Sequence, residues 1–386
     1  MILRRQLPTW SPVTLRALSA GFSPSRDALS RVQQLIIQEF GARSIRLTSS
    51  GTVALALGFL ATAPGRRPRI GLPAWGCYDL LTAADAANAE VFLYDLDPLR
   101  LAPDRVSLSA VLSQSLDAVV VAHWFGVPVN IEAMRIQTEK ANVVLIDDAA
   151  QGVGASMSGK PVGSHGDLGV LSFGRGKGRT GGSGGALFAN TTRGEEVLAR
   201  AGQLEDSGSS SWLALWAQWL LGRPWLYGIP SSLPFLRLGE TVYKPPPPLR
   251  SLSRRGASVL DRIWEVSLEE ARLRHGRAQH WLGRLPIRAD LERIEIAEGA
   301  DPGWLRCPVL ATGSFREFLL SRSAKKHGVV AGYPNPLNRI SVFPGRIVNS
   351  REEFEGAERL ARQVFAFPTH RFVGERDFKV IGEFKE

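Results

Sequence analysis

The stretch VVLIDDAAQ (143 to 151) places four aliphatic residues directly before two aspartates. A run of this kind, rich in β-branched residues, is typical of a strand that is buried on both faces of a parallel sheet. Asp147 and Asp148 would then lie at the carboxyl end of the strand, where open α/β sheets bind their ligands. A second apolar run, Leu168 to Phe173, leads into the glycine-rich segment GRGKGRTGGSGG (174 to 185). The two segments are therefore predicted to meet at one edge of a sheet.

Lys177, within the glycine-rich segment, and Asp148 have the chemistry of a site for pyridoxal phosphate (PLP). This cofactor needs an amine that forms a Schiff base and a carboxylate that keeps the pyridine nitrogen protonated. The residues alone leave other interpretations open. An Asp at a strand end is often a helix cap or turn residue, and a Lys in a glycine-rich loop often binds phosphate or is solvated. The main rival is a phosphate-binding loop, although GRGKGRT lacks the spacing of a P-loop.

The composition indicates a soluble chain that is long enough for two domains. Of its 386 residues, 44% are hydrophobic and 22% are charged, which is typical of globular proteins. The two cysteines, Cys77 and Cys307, lie far apart without metal-ligand spacing, so we expect neither a disulfide framework nor a metal site. No signal peptide and no run of about 20 apolar residues is evident. We therefore expect a cytoplasmic protein without a membrane span.

The net charge of +10 would attract phosphates, nucleotides, anionic lipids or nucleic acid. The basic residues are spread along the chain and form no block interleaved with aromatic residues. We therefore interpret the charge as a solvated basic surface and do not expect nucleic acid as a partner.

Helical and strand patterns alternate between residues 27 and 190, which predicts a parallel or mixed sheet covered by helices. Expected strands include 69 to 73, 90 to 95 and 117 to 126. In the same region a strand leads through SSGT (49 to 52) into an apolar helix. Small residues at such a turn let backbone N–H groups approach an anion, so SSGT is a candidate phosphate site. An ordinary N-cap explains the segment equally well when it is taken alone.

A segment rich in Trp, Leu and Pro (206 to 250) interrupts this alternation. A long helical pattern then begins at about residue 251 and opens a smaller α+β region. We therefore expect a large ligand-binding domain at 1–250, which includes the insertion 206–250, and a small C-terminal domain at 251–386.

Five motifs carry a resemblance to a known family. They are SSGT (49 to 52), AHWFG (122 to 126), IDDAAQGVGA (146 to 155), GKPVGSHGDLGVLSFGRGK (159 to 177) and FAFPTHRFVGERD (365 to 377). Together they resemble the DegT/DnrJ/EryC1/StrS aminotransferases, over nearly the whole chain. These are PLP enzymes of fold type I, many of which aminate keto-sugars carried on nucleotides. The resemblance implies an α/β fold with a mixed, mostly parallel sheet, a smaller C-terminal domain and PLP as the cofactor.

The resemblance also implies roles for individual residues. Lys177 matches the lysine that carries PLP and then acts as general base, and Asp148 matches the aspartate that pairs with the pyridine nitrogen. The other implied cofactor residues are Gly51, Thr52 and Ser172 at the phosphate, Gln151 near the ring hydroxyl, and Cys77 at the ring-stacking position. His123 matches a family histidine whose role we interpret as mainly structural. The lysine favours a transaminase over the family's dehydratase branch, where a histidine typically replaces it.

The chain departs from the family pattern in three places. An aromatic ring commonly stacks on PLP from the segment that matches PAWGC (73 to 77), whereas here Cys77 takes that position and Trp75 lies two residues earlier. The family's GEGG reads GSGG (182 to 185). The family's Asn-x-Arg element, which reaches into the partner's active site to help hold the phosphate, is not found, and the insertion stands in its place.

The insertion contains SWLALWAQWLLGRPWLYG (211 to 228), which predicts a helix with an aromatic face at Trp212, Trp216 and Trp219. Burial of this face against the small domain or a dimer mate is the simplest interpretation. A weak contact with a membrane surface through 211–228 is an alternative. A third interpretation is that the face borders the acceptor end of the cleft and selects the substrate.

These observations predict a homodimeric, PLP-dependent aminotransferase. It would move an amino group from a small-molecule donor, such as glutamate, to a keto-sugar or sugar-like carbonyl acceptor. The alternatives are a transaminase of a lipid-linked or non-sugar carbonyl, and a regulatory protein that binds PLP without turnover.

Overall fold

The computed structural model describes residues 5–207, 212–231, 241–343 and 345–382. The helices are α1 (Leu15–Phe22), α2 (Ala28–Phe40), α3 (Gly51–Thr62), α4 (Asp79–Ala86), α5 (Arg105–Leu112), α6 (Glu132–Lys140), α7 (Thr192–Ala199), α8 (Trp212–Leu221), α9 (Gly228–Ser231), α10 (Arg254–Arg284), α11 (Gly313–Leu320), α12 (Arg322–Lys326), α13 (Glu355–Gln363) and α14 (Glu375–Gly382). The strands are β1 (Ser44–Thr48), β2 (Arg69–Pro73), β3 (Glu90–Tyr94), β4 (Leu96–Asp97), β5 (Ala102–Pro103), β6 (Ala118–Ala122), β7 (Val144–Asp148), β8 (Ser156–Met157), β9 (Lys160–Pro161), β10 (Leu168–Ser172), β11 (Gly185–Ala189), β12 (Leu291–Arg293), β13 (Ala300–Asp301), β14 (Arg306–Ala311), β15 (Val330–Ala331), β16 (Arg346–Ile347) and β17 (Val364–Pro368).

The large sheet has the strand order β1-β11-β10-β7-β6-β2-β3-β16. Strand β11 runs antiparallel to both of its neighbours, and the other neighbouring pairs are parallel. All strands of this sheet except β11 therefore run in one direction, so their carboxyl ends lie along one edge. This confirms the expected α/β fold with a mixed, mostly parallel sheet.

Helices cover both faces of the large sheet. Helix α3 is apolar around nearly its whole circumference and is buried between the sheet and α4, as its sequence GTVALALGFLAT predicts. On the opposite face, α1 and α2 pack against the long helix α10. In α2 the buried residues Val32, Ile36 and Phe40 recur every four positions, which places them on one side of the helix. The strands of the large sheet are thus packed between helices on both faces, and this packing fixes the position of their carboxyl ends.

The C-terminal part forms its own antiparallel sheet in the order β12-β14-β17-β15. Strand β16, however, pairs with β3 and so adds an edge strand to the large sheet. Helix α10 also packs on α1 and α2. The division at residue 250 therefore separates most of the two sheets, and the domain boundary itself stays a prediction.

One predicted strand is shorter than expected. The strand predicted for 117 to 126 ends at Ala122, and Trp124–Gly126 forms a 3₁₀ turn. Phe125 and Gly126 have φ values of 59° and 79°, which extended backbone does not allow. The apolar run continued past the strand because Trp124 and Phe125 are buried in the turn.

In the described part of the chain, no helix combines the length and the apolar character that crossing a membrane requires.

Candidate active site

Residues that follow several strands of the large sheet line a cavity of about 300 Å³ at its carboxyl edge. The lining residues that come from the predicted site are Gly51, Thr52, Cys77, Asp148, Ser172 and Lys177. They lie at or just after the carboxyl ends of β1, β2, β7 and β10, which share one edge. The structure therefore brings together the residues predicted for this crevice, with the exception of Gln151.

The N-terminus of α3 forms one end of the cavity. Ser50 is its N-cap, and the Ser50 hydroxyl accepts a hydrogen bond from the N–H of Val53 at 3.1 Å. A Cβ atom on Gly51 would lie 2.8 Å from the Cβ of Ser172, so a glycine is required for this close approach to β10. The first turn of a helix presents N–H groups and a partial positive charge, which favour an anion. The N-cap interpretation of SSGT is therefore confirmed at Ser50, and the phosphate site at Gly51 and Thr52 stays a prediction.

The two adjacent aspartates point to opposite sides of β7, as alternation along a strand requires. Asp148 lines the cavity, and its Oδ1 accepts a hydrogen bond from the N–H of Ala150 at 2.9 Å. Burial raises the pKa of Asp148, although the N–H of Ala150 and the positive charge of Lys177 partly oppose this. The Asp148 carboxylate is thus short of compensating partners in the described residues.

Asp147 is fully buried on the other side and is well satisfied. Its oxygens accept hydrogen bonds from the N–H groups of Gly163 at 2.8 Å and His165 at 3.0 Å, and one contacts His123 Nε2 at 2.7 Å. Burial alone would raise the pKa of Asp147, but His123 and the N–H of His165 together lower it. His123 Nδ1 accepts a hydrogen bond from the N–H of Val129 at 2.9 Å, so a neutral ring donates from Nε2 to Asp147. Both ring nitrogens of His123 are therefore engaged in hydrogen bonds outside the cavity wall, which is consistent with a structural role.

The loop that carries Lys177 is attached to neighbouring helices by Arg179, two residues after the lysine. Arg179 is fully buried, and its Nε donates to the hydroxyl of Ser267 on α10 at 2.8 Å. Its Nη2 donates to Glu39 Oε2 on α2 at 2.9 Å, and its guanidinium lies 3.6 Å from the ring centre of Trp264. The half-buried Lys177 is therefore in a glycine-rich loop whose next turn is fixed to two helices.

Gln151 lies beside the cavity and is not part of its wall. Its Oε1 accepts a hydrogen bond from the N–H of Phe125 at 3.0 Å, and its Nε2 donates to the hydroxyl of Tyr333 at 3.0 Å. The contact of Gln151 with a cofactor ring therefore stays a prediction from the resemblance.

Cys77 lies in the cavity wall, at the position to which the resemblance assigns the ring that stacks on PLP. Burial, with the negative charge of Asp79, raises the pKa of the Cys77 thiol to about 12, so the thiol is neutral at physiological pH. Trp75 does not substitute for the missing ring. It is fully buried outside the wall, and its Nε1 donates to the carbonyl oxygen of Tyr333 at 2.9 Å.

Several charged or polar residues of the wall were not singled out from the sequence. These are Asp79, Arg175 and Lys244. Arg175 belongs to the glycine-rich segment, so its proximity to Lys177 could have suggested it. Lys244 lies in the insertion directly before four prolines, and no local pattern connects it with the other wall residues.

The insertion helix α8 packs on the lysine loop and on α1 of the same chain. Leu215 is fully buried, and its Cγ would lie 2.7 Å from a Cβ atom on Gly182. The half-buried rings of Trp216 and Trp219 have centroids 5.9 Å apart, and Phe22 of α1 lies 6.1 Å from Trp216. The structure thus shows burial of this face against α1 and the lysine loop of the same chain, and its burial against a dimer mate stays a prediction.

The side chain of Trp212 and the insertion residues 208–211 and 232–240 lie outside the described residues. The proposed roles of the aromatic face at a membrane surface or at the substrate stay predictions.

The chain is similar in sequence to a known family and to several curated proteins. The model of the DegT/DnrJ/EryC1/StrS aminotransferase family matches residues 31–222. An L-glutamine:2-deoxy-scyllo-inosose aminotransferase of Streptoalloteichus tenebrarius is 32% identical over 160 residues, which are 42% of this chain and 37% of the relative. A GDP-perosamine synthase of Caulobacter vibrioides is 27% identical over 168 residues, which are 44% of each chain. The chain therefore matches less than half the length of these curated relatives.

Solved structures resemble the chain over nearly its whole length. A sugar aminotransferase from Micromonospora echinospora has a TM-score of 0.75 at 20% identity, with 97% of each chain covered. A DegT DnrJ EryC1 StrS aminotransferase from Brucella abortus has a TM-score of 0.71 at 18% identity, with 95% of this chain and 94% of that chain covered. At these identities the likeness establishes the fold. With the family match over residues 31–222 and the motifs, it confirms the resemblance of the chain to the DegT/DnrJ/EryC1/StrS aminotransferase family.

Proposed function

We propose that this chain is a PLP-dependent aminotransferase that moves an amino group from an amino acid to the carbonyl group of a sugar or sugar-like acceptor. The observation that carries the proposal is that the Lys177 amine and the Asp148 carboxylate line one cavity with the N-terminus of α3. Relatives named as an inosose aminotransferase and a GDP-perosamine synthase support the acceptor class. The inosose relative is named for L-glutamine, so glutamine joins glutamate as a candidate donor.

The residues present fit PLP on structural grounds. Gly51 lets the first turn of α3 approach Ser172, and Thr52 adds a hydroxyl, which together suit a phosphate group. The buried Asp148 carboxylate has a raised pKa and would gain a cationic partner from a protonated pyridine nitrogen. The volume of about 300 Å³ is at the lower end of the range for small-molecule sites, about 300–1,000 Å³.

When bound, PLP would act as an electron sink for the carbon that loses a proton. Asp148 would hold the pyridine nitrogen in its protonated form, and the N-terminus of α3 would orient the phosphate group. The amine of Lys177 would take the proton from the donor carbon as general base and deliver it to the cofactor carbon, because it lines the same cavity as Asp148. Arg179 would keep the lysine loop in place through its contacts with α2 and α10.

The proposal is tested by the absorbance of the PLP-loaded protein. Adding L-glutamine or L-glutamate should remove the absorbance of bound PLP, and a suitable keto-sugar should restore it. Lys177→Ala should abolish the change, whereas Lys160→Ala, which alters an exposed lysine outside the cavity wall, should not. Absorbance that stays constant with every donor would contradict the proposal and favour a PLP-binding regulatory protein.

The acceptor class is tested by the step of the same assay in which a carbonyl compound restores the absorbance of bound PLP. We expect keto-inositols and nucleotide-linked keto-sugars to restore the absorbance faster than simple non-sugar carbonyls. The reverse ranking would replace the sugar acceptor by a non-sugar or lipid-linked carbonyl.

We further propose a homodimer. Leu220, Trp225 and Ile229 of the insertion region are 52%, 57% and 41% exposed, and a second copy of the chain would cover such apolar side chains.

A further inference from the structure

A strap of residues 243–252 is attached to the fold at both of its ends. At the first end, the hydroxyl of Thr82 on α4 donates to the carbonyl oxygen of Lys244 at 3.0 Å. The hydroxyl of Tyr243 donates to Asp85 Oδ2, also on α4, at 2.7 Å. At the other end, the N–H of Ser49 donates to the carbonyl oxygen of Arg250 at 2.8 Å, directly before α3. The strap therefore connects α4 with the turn that caps α3.

Four consecutive prolines, 245 to 248, form the middle of the strap. Each proline ring fixes its φ angle, so the run is a stiff spacer of about 12 Å in the polyproline conformation. Anchored ends and a stiff middle restrict the positions that the backbone of Lys244 can take. The entropy lost when Lys244 binds a ligand is correspondingly small.

Lys244 is an exposed cation in the cavity wall, where it lines the same space as Ser50, Gly51 and Thr52. It has no carboxylate partner among the ion pairs of the described residues. The other charged residues of the wall are two cations, Arg175 and Lys177, and two carboxylates, Asp79 and Asp148. The wall thus carries one cation more than its carboxylates balance.

The phosphate group of PLP is the ligand that this charge fits. A phosphate monoester carries about −1.5 to −2 charges near neutral pH. The N-terminus of a helix supplies the equivalent of only about +0.5 charge. The hydroxyl groups of Thr52 and Ser172 add hydrogen bonds but no charge, so a further cation is needed beside them. A lysine suits this role because its ammonium group is a compact charge with three donors.

Arg175 is less suited to the phosphate end of the cavity. It belongs to the lysine loop, and its positive charge opposes the rise in the pKa of Tyr227 that burial causes, as do the charges of Arg5 and Arg306. The charge of Arg175 is thus shared with Tyr227, whereas Lys244 is attached to α4 and lines the cavity together with the first turn of α3.

We propose that Lys244 binds the phosphate group of PLP within its own chain. This inference rests on the proposed function, because it takes PLP as the cofactor. The α3 terminus, Thr52 and Ser172 neutralise only part of the phosphate charge. Lys244 supplies the remaining positive charge from the same chain, without a contribution from a partner subunit.

The test compares PLP with pyridoxal, which lacks the phosphate group, in titrations of the cofactor-free full-length chain. Lys244→Ala should raise the dissociation constant for PLP about tenfold and change that for pyridoxal less than about twofold. Lys244→Arg should retain most of the affinity. Inorganic phosphate should raise the melting temperature of the cofactor-free wild type, and less so that of Lys244→Ala.

Two matched variants control for a general loss of charge. Arg175→Ala removes a cation from the same wall, and Lys140→Ala removes one from the exposed end of α6. In both variants, the ratio of PLP affinity to pyridoxal affinity should be closer to that of the wild type than it is in Lys244→Ala. An unchanged PLP affinity in Lys244→Ala would overturn the inference, and so would an equal loss of PLP and pyridoxal affinity.

The proposed function and the inference fail in different ways. A wild-type chain that binds neither PLP nor pyridoxal would overturn the proposed function, whereas normal PLP binding by Lys244→Ala overturns only the role of Lys244. Mixing Lys244→Ala with Lys177→Ala chains tests the same-chain assignment. Recovery of wild-type PLP affinity in the mixture would show that Lys244 acts across a subunit interface and would overturn that assignment.

Discussion

Replacing Arg179 with methionine should destabilise the protein and disturb the cavity at the same time. The substitution keeps most of the side-chain volume but removes the hydrogen bond to Ser267, the ion pair with Glu39 and the cation–π contact with Trp264. Breaking a buried ion pair costs about 3–5 kcal/mol because it leaves one charge without its partner. The side chain of Glu39 is 17% exposed and recovers some hydration, so we expect a loss of about 3 kcal/mol, at the lower end of that range.

The loss is measurable by urea unfolding as a lower midpoint at an unchanged slope. Arg43→Met is the matched control, since Arg43 forms a 2.5 Å ion pair with Glu195 on the surface, with side chains 49% and 35% exposed. Such exposed pairs contribute less than about 1 kcal/mol. A double-mutant cycle with Glu39→Gln should give a coupling above about 1 kcal/mol, because the two side chains are in contact.

Arg179→Met should also slow the donor half-reaction, because the loop that positions Lys177 loses its attachment to α2 and α10. If Arg179→Met lowered the free energy of unfolding no more than Arg43→Met does, the proposed contribution of the buried ion pair would be refuted. A destabilised variant with the wild-type rate and PLP affinity would refute the argument that Arg179 positions the lysine.

Three further predictions concern other parts of the molecule. Asp148→Asn should retain PLP but lose the donor half-reaction, and it should not lower the melting temperature of the cofactor-free chain, since burial already raises the pKa of Asp148. Asp147→Asn should lower the melting temperature instead, because the contacts of Asp147 lower its pKa. The reverse ranking in both assays would exchange the roles of the two aspartates. Burial lowers the pKa of His370 to about 4, so its contribution to stability is complete above about pH 6.5 and decreases as the pH falls towards 4. Unfolding titrations should show a loss of about 2 kcal/mol from this group between pH 7.5 and pH 5, which His370→Asn should remove, and equal slopes for both chains would contradict the assignment. Sedimentation at micromolar concentration should show about twice the 42.1 kDa mass of the chain, and a fully active monomer would disprove the homodimer.

The sequence predicted those parts of the site that depend on local patterns. The apolar runs before Asp148 and Lys177 predict two buried strands, and strands of one direction place their carboxyl ends at one edge. The resemblance assigned Asp148 to the cofactor, and alternation along a strand requires Asp147 to point the other way, as the structure shows. Local pattern failed at Phe125, where a buried turn continues an apolar run without extended backbone.

The remaining features depend on contacts between distant segments. Arg179 in a glycine-rich loop resembles a solvated residue until Glu39 and Ser267 are brought to it by two helices. Lys244 reaches the cavity only because the strap is attached to α4 and to the turn before α3. Neither pairing has a fixed spacing in the chain, so periodicity and motifs contain no signal for it.

We propose that this cavity holds PLP on Lys177. Lys244 is the second lysine of the cavity wall, so the site contains a natural competitor for the same chemistry. Borohydride reduction of the PLP-loaded protein, followed by peptide mapping, identifies the lysine that carries the cofactor. We predict a single modified peptide that contains Lys177, and modification of Lys244 or of any other lysine in its place would contradict the account.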